Sequence, residues 1–229
     1  MSDQTREPQY CICLDLRDRE GFARFGLMSN YVWHDDPKRL AFVLSRYKFV
    51  AKMLCGMRNV LEIGCGDAFG TRIVLQEVER LSAVDFDPVF VKDAIEHMDE
   101  HWKFQCVVHD ILKGPVEGQF DGAYALDVLE HIPREQEESF VSNIAHSLTD
   151  DGVLIIGTPS IQSQAYASAG SKEGHVNCKD HRQLKELLLH FFHNVFIFSM
   201  NDEVVHTGFY PMAHYLFALC CSKRLRYGP

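Results

Sequence analysis

Val60–Thr71, VLEIGCGDAFGT, decides the fold. An apolar run of Val60, Leu61 and Ile63 stops at Gly64-Cys65-Gly66, and helix-compatible residues begin after Asp67. That order predicts a buried parallel strand, a tight turn and the start of a helix. Glycines there let the backbone adopt φ values closed to other residues and let a ligand lie directly on the main chain. The turn therefore reads as a nucleotide-type cofactor site at the carboxyl end of a strand.

The dinucleotide fingerprint G-x-G-x-x-G rests a pyrophosphate on a helix N-terminus. Here the glycines are Gly64, Gly66 and Gly70, one residue too long for that spacing, and Glu62 and Asp67 flank the turn. Carboxylates repel a diphosphate and suit a ligand with positive charge. S-adenosylmethionine, with a sulfonium, an ammonium and an adenosine, is such a ligand. VLEIGCGDAFGT resembles the first motif of class I S-adenosylmethionine-dependent methyltransferases, with Ala68 where that pattern carries its third glycine. The resemblance covers roughly residue 50 to the C-terminus. It implies an α/β, Rossmann-like, seven-stranded mostly parallel sheet with helices on both faces and the last strand antiparallel.

Working outward, the 229 residues suit one domain with its own core. We expect an N-terminal arm with cap helices over 1–50 and the methyltransferase domain over 51–229, with a substrate-lid loop at about 160–178. A net charge of −9 disfavours nucleic acid and anionic membrane surfaces as partners. The eight cysteines include no C-x-x-C pair, and Cys55, Cys65, Cys106 and Cys220 sit among apolar neighbours, which predicts buried, reduced thiols. Met1–Tyr10 is polar, reads as a loose end and has no apolar signal core, so the expected location is the cytoplasm. Residues 11–28 show no clear period, although Phe22 and Phe25 could share a helix face.

Asp36-Pro37 reads as N-cap and first residue of a helix with Leu40, Val43, Leu44, Tyr47 and Val50 on one face. Tyr31, Trp33 and His34 precede it and could close over a substrate. Thr71–Glu79 reads as a helix, Leu81–Val84 as the second strand and Phe104–Val108 as the third. Asp85 lies about twenty residues beyond the turn, where nucleotide-binding folds place an acid on the ribose hydroxyls. Phe86 offers an apolar face to adenine, and Asp87 before Pro88 reads as a helix cap. The resemblance places Asp110 and Ile111 at the adenine. It also passes Leu126 and Asp127 of LDVLEHIP beneath the methionine part, and lays Gly64, Cys65 and Gly66 along the cofactor with Glu62 before them. A fifth strand at Val153–Ile156, a mobile loop at Ser160–Lys172, a helix from Asp180 and two closing strands complete the reading.

Methyl transfer is an in-line displacement, helped by alignment and a dry pocket. A hydroxyl acceptor also needs a base. Of twelve histidines, His131, His175, His181, His206 and His214 fall on segments expected at the carboxyl edge. His175 is the preferred base, with His131 beside it as the second catalytic candidate. Asp127, Glu130 and His131 form D-x-x-E-H, so a divalent ion held with His175 or His181 is an alternative; the reading assigns no metal. The expected acceptor is a small molecule, a hydroxyl of a sugar or ring compound. The rivals are a metal-assisted RNA 2′-O-methyltransferase, a nicotinamide oxidoreductase and a cofactor-binding protein without turnover.

Overall fold

β1 (Val60–Ile63) is buried at all four positions, as a parallel strand covered on both faces must be. The computed structural model describes residues 5–224. β2 (Leu81–Asp85) and β4 (Phe120–Leu126) flank β1 in parallel, with Ile63 opposite both Val84 and Ala125. β3 (Gln105–Val108) extends the sheet beyond β2, and β5 (Leu148–Pro159) extends it beyond β4. The strand order is β3-β2-β1-β4-β5, continued by β8 (Tyr215–Lys223), β6 (Phe192–Asn201) and β7 (Val204–His206). Order reverses between β1 and β4, so the loops leaving their carboxyl ends open a crevice there.

β8 (Tyr215–Lys223) runs antiparallel between β5 and β6 (Phe192–Asn201), in line with the expected antiparallel last strand. An eighth strand, β7 (Val204–His206), is a short hairpin partner on the β6 edge and adds to the expected seven. Side chains alternate across the sheet. Leu61 and Ile63 meet α6 (Glu137–Ser147) and α8 (His181–Leu189) through Phe140, Ile144 and Leu188. Val60 faces the other core, built by α3 (Pro37–Met53), α4 (Thr71–Leu75) and α5 (Pro88–Glu96) through Tyr47, Val50, Val74 and Val91.

Several expectations need correction. Of the polar segment read as a loose end, residues 1–4 lie outside the described residues, and Pro8–Tyr10 forms a 3-10 turn. It leads into α1 (Cys11–Glu20), which buries no residue and therefore carries no apolar stripe to betray it. Phe22 and Phe25 share no helix, because residues 21–26 form an irregular link to α2 (Leu27–Asp35). Phe25 packs on Trp33 and Phe69, with ring centroids 5.6 and 5.1 Å away, and Phe22 stays exposed. α4 stops at Leu75, short of the expected Glu79. The segment read as a mobile loop, Ser160–Lys172, carries local helical structure: Ser160 and Ser168 cap a 3-10 segment, Ile161–Tyr166, and α7 (Ala169–Gly174). All eight cysteines are free, but Cys55 is exposed beside Glu77. No helix among the described residues is long and apolar enough to cross a membrane.

Asp180 opens α8 with a capping box, accepting from the Arg182 and Gln183 amides at 2.8 and 2.9 Å while the Gln183 side chain returns to the Asp180 amide. Asp180→Ala should lower unfolding stability by about 0.5–2 kcal/mol. Urea titration should move in midpoint with an unchanged slope.

Candidate active site

The turn after β1 is left-handed at Gly64 (φ 72°) and Gly66 (φ 53°). A Cβ on Gly64 would stand 2.4 Å from Val128, so this position also needs the missing side chain for space. Ala68, where the family pattern has glycine, also sits at positive φ (52°), a conformation that costs a non-glycine residue about 1 kcal/mol. Asp85 at the end of β2 closes the turn, its carboxylate accepting from the Gly66 and Asp87 amides at 2.9 Å each. Asp87 caps α5 through the Val89 amide.

A cavity of about 580 Å³ opens over this turn. Gly64, Gly66, Asp85, Phe86, Asp110, Ile111, Asp127 and His131 form its wall. Asp110 also caps the turn Ile111–Lys113 through the Leu112 amide. Three residues expected at the cofactor stand back from this wall. Leu126 is buried in the core, and the Cys65 thiol turns inward to 4.0 Å from Cys106.

Glu62 lies beneath the turn. Its carboxylate accepts from the hydroxyls of Tyr47, Thr71 and Tyr124 at 3.0, 2.6 and 2.8 Å. Burial pushes its pKa up to about 7, against the pull of those three hydroxyls. Asp67 likewise turns to the protein, accepting from the Ser29 and Phe69 amides at 2.7 and 3.2 Å, and Asp93 accepts from the Leu27 amide at 2.7 Å. These carboxylates fasten the first turn of α2, where helix amides are free. α2 thus brings Met28 onto the cavity wall against Gly66, a contact that no local sequence signal announces.

Asp127 leaves β4 at φ 57°, and Arg46 of α3 donates to both of its carboxylate oxygens at 2.7 and 2.6 Å. The guanidinium also lies 4.0 Å above the Tyr215 ring. Arg46 and Tyr215 belong to a second cavity, of about 210 Å³, with Phe42, Tyr166, His175 and His214 among its walls. His131 and His175 face each other, 5.1 Å between ring centroids. The Gly174 carbonyl lies 2.9 Å from Nδ1 of His131 and the Gln164 carbonyl oxygen 2.9 Å from Nδ1 of His175. Both acceptors place the ring proton on Nδ1 and leave each Nε2 with its lone pair. Burial first, then His131, lowers the His175 pKa, so the ring is neutral near pH 7.

Glu130 is fully buried; one oxygen accepts from Thr158 at 3.1 Å and the other has no partner. Burial, with Asp127 nearby, holds it well above the usual carboxylate range. One ligand atom each from Glu130, His131 and His175 lies within 4.8 Å of the others. His181 instead stacks on Tyr210 at 4.3 Å, and His206 contacts Asn201. His214 joins the second cavity.

A carboxyl whose pKa rises to about 7 on folding binds its proton more tightly in the native state. Its contribution to stability is complete below about pH 4.3, the unfolded value, and is lost as pH climbs through the folded value. Glu62→Gln should therefore flatten the fall in Tm between about pH 5 and pH 8. Parallel wild-type and variant melting curves would remove this assignment.

Residues 60–152 match a family described as a methyltransferase domain. A probable S-adenosylmethionine-dependent methyltransferase of Mycobacterium tuberculosis is 26% identical over 108 residues, 46% of this chain and 37% of the relative. A ubiquinone biosynthesis O-methyltransferase of Xanthomonas euvesicatoria is 27% identical over 161 residues, 64% of this chain and 63% of the relative. The chain thus spans less than two thirds of the length of either curated relative. Among solved structures, the N-methyltransferase NodS of Bradyrhizobium japonicum, in complex with S-adenosylhomocysteine, aligns with a TM-score of 0.62. It is 17% identical, and the alignment covers 85% of this chain and 92% of NodS. A turn of this geometry, in a sheet of this order and with these relatives, makes residues 60–152 similar to the methyltransferase domains of S-adenosylmethionine-dependent enzymes.

Proposed function

We propose that the chain moves the methyl group of S-adenosylmethionine to a hydroxyl of a small polar acceptor, a sugar or ring metabolite. The observation that carries this reading is the pair of cavities abutting across Arg46–Asp127 and His131–His175, one at the glycine turn and one beneath the lid segment. Such a pair suits a donor and an acceptor that must meet in line. Asp85 keeps lone pairs for the ribose hydroxyls, and Phe86 with Ile111 offers the adenine apolar surface. Asp127 and the Gly64 backbone suit the cationic methionine end. The sulfonium supplies the methyl group; His175 Nε2 takes the acceptor proton, with Gln164 holding the ring. The O-methyltransferase names among the relatives support oxygen as the acceptor atom.

Asp85→Ala should weaken S-adenosylmethionine binding by about 1.5–3 kcal/mol, the range for hydrogen bonds to a charged group. Calorimetric affinity equal to wild type would sink the ribose assignment. Binding with no methylated product from any sugar or ring alcohol would leave a cofactor-binding protein without turnover.

One observation favours a metal-assisted variant of this reaction. Glu130, His131 and His175 together offer a carboxylate oxygen and two imidazoles, and the Glu130 oxygen has no partner. That donor set fits a divalent transition metal, which on binding an acceptor hydroxyl would lower its pKa. Asp127 stands outside it, held by Arg46. His175→Ala should cut turnover by about 10²–10⁴-fold with cofactor affinity kept. Wild-type activity unchanged in excess chelator removes the metal, and activity lost in chelator removes His175 as a simple base.

A further inference from the structure

Met28 projects from backbone that is fastened on both sides of it. The Leu27 amide donates to Asp93 of α5 at 2.7 Å, and the Ser29 amide donates to Asp67 of the glycine turn at 2.7 Å. Gly26 lies so close to that acid that a Cβ on it would stand 2.4 Å from the Asp67 Cβ. The first turn of α2 is thus clamped to two elements by charge-assisted bonds to free helix amides. Met28 remains 51% exposed and reaches the larger cavity. Its Sδ fills the space over Gly66, 2.7 Å from where a Cβ on that glycine would be. The Gly66 amide donates to Asp85, so Met28 stands beside the acid proposed for the ribose hydroxyls. The same cavity carries an apolar wall of Phe86, Phe90, Ile111 and Leu112.

We propose that Met28 is a cofactor-binding residue: its thioether covers the adenosine half of S-adenosylmethionine, and α2 parts from the glycine turn before the spent cofactor leaves. The inference rests on the methyl-transfer reading. It adds a contact from outside residues 60–152, the stretch that matches a methyltransferase domain. A thioether is polarisable and unbranched, and it packs well on an aromatic ring such as adenine. Half of this apolar side chain stays in water although the backbone on either side is clamped. Covering that half on cofactor binding should contribute about tenfold in affinity. Adenosine, S-adenosylmethionine and S-adenosylhomocysteine share the part that Met28 meets, so all three should gain alike. A contact at the sulfonium would instead distinguish the charged donor from the other two.

The test is calorimetric titration with adenosine and with S-adenosylhomocysteine. It is paired with the release of tritiated S-adenosylhomocysteine into an excess of unlabelled ligand. Met28→Ala should weaken both ligands by the same factor, about tenfold, and should speed release. Met28→Leu restores an apolar side chain of similar volume and should stay within about threefold of wild type. Leu27→Pro removes one clamping amide at the first helical position, where proline suits a helix. It should speed release severalfold, because α2 then parts from Asp93 more easily. Equal adenosine affinity in Met28→Ala and Met28→Leu overturns the proposal, since bulk over the ligand would then be irrelevant. Weakened S-adenosylhomocysteine with unchanged adenosine overturns it as well, and so do wild-type release rates in both Met28→Ala and Leu27→Pro. In each of those cases S-adenosylhomocysteine still binds, so the Met28 contact fails and methyl transfer stands. If S-adenosylhomocysteine does not bind the wild-type protein, both fail together.

Discussion

The carboxylate of Glu62 is the knot of the fold. It sits in the interior, where an ionised group without partners would cost several kcal/mol, and three hydroxyls hold it. Those hydroxyls come from α3, from the start of α4 and from β4, so one side chain on β1 ties four elements together at the base of the glycine turn. The turn can then hold two left-handed residues and a left-handed alanine, because what lies beneath it cannot shift. A polar network this deep gives the site a single geometry only if every member is satisfied.

The same helix sets the wall between the cavities. Tyr47 of α3 reaches Glu62, and its neighbour Arg46 reaches Asp127. Fixing the helix by the first contact therefore aims the second. Acids around the turn divide in consequence. Glu62 is held by hydroxyls and Asp67 by the amides of α2 and the turn, so neither presents its charge to a ligand. Asp85, Asp110 and Asp127 do line the larger cavity. The preference for a cationic adenosine derivative over a diphosphate follows from Asp85 and Asp110, since Asp127 is already paired with Arg46, although the flanking pair suggested it first.

Elements with a local signal were readable in advance. β1 and its turn stand out by composition, and Asp36, Asp87 and Asp180 announce their helices because a cap acts within a few residues. Elements without one were missed. α1 buries nothing, and the helical turns of the Ser-rich segment after β5 went unread although its serines serve as caps. Composition saw the polar residues there but not the two helical starts they make.

Sequence alone determined the alternation of strands and helices, the glycine turn after β1 and the acid that follows it, since each depends on periodicity or on neighbours along the chain. Tertiary structure decided which side chains share a cavity. Arg46 and Asp127 are 81 residues apart, and His131 meets the segment carrying His175 only because Gly174 accepts from its ring across 43 residues. Such meetings depend on how helices and loops pack over the sheet, and no spacing rule along the chain encodes them.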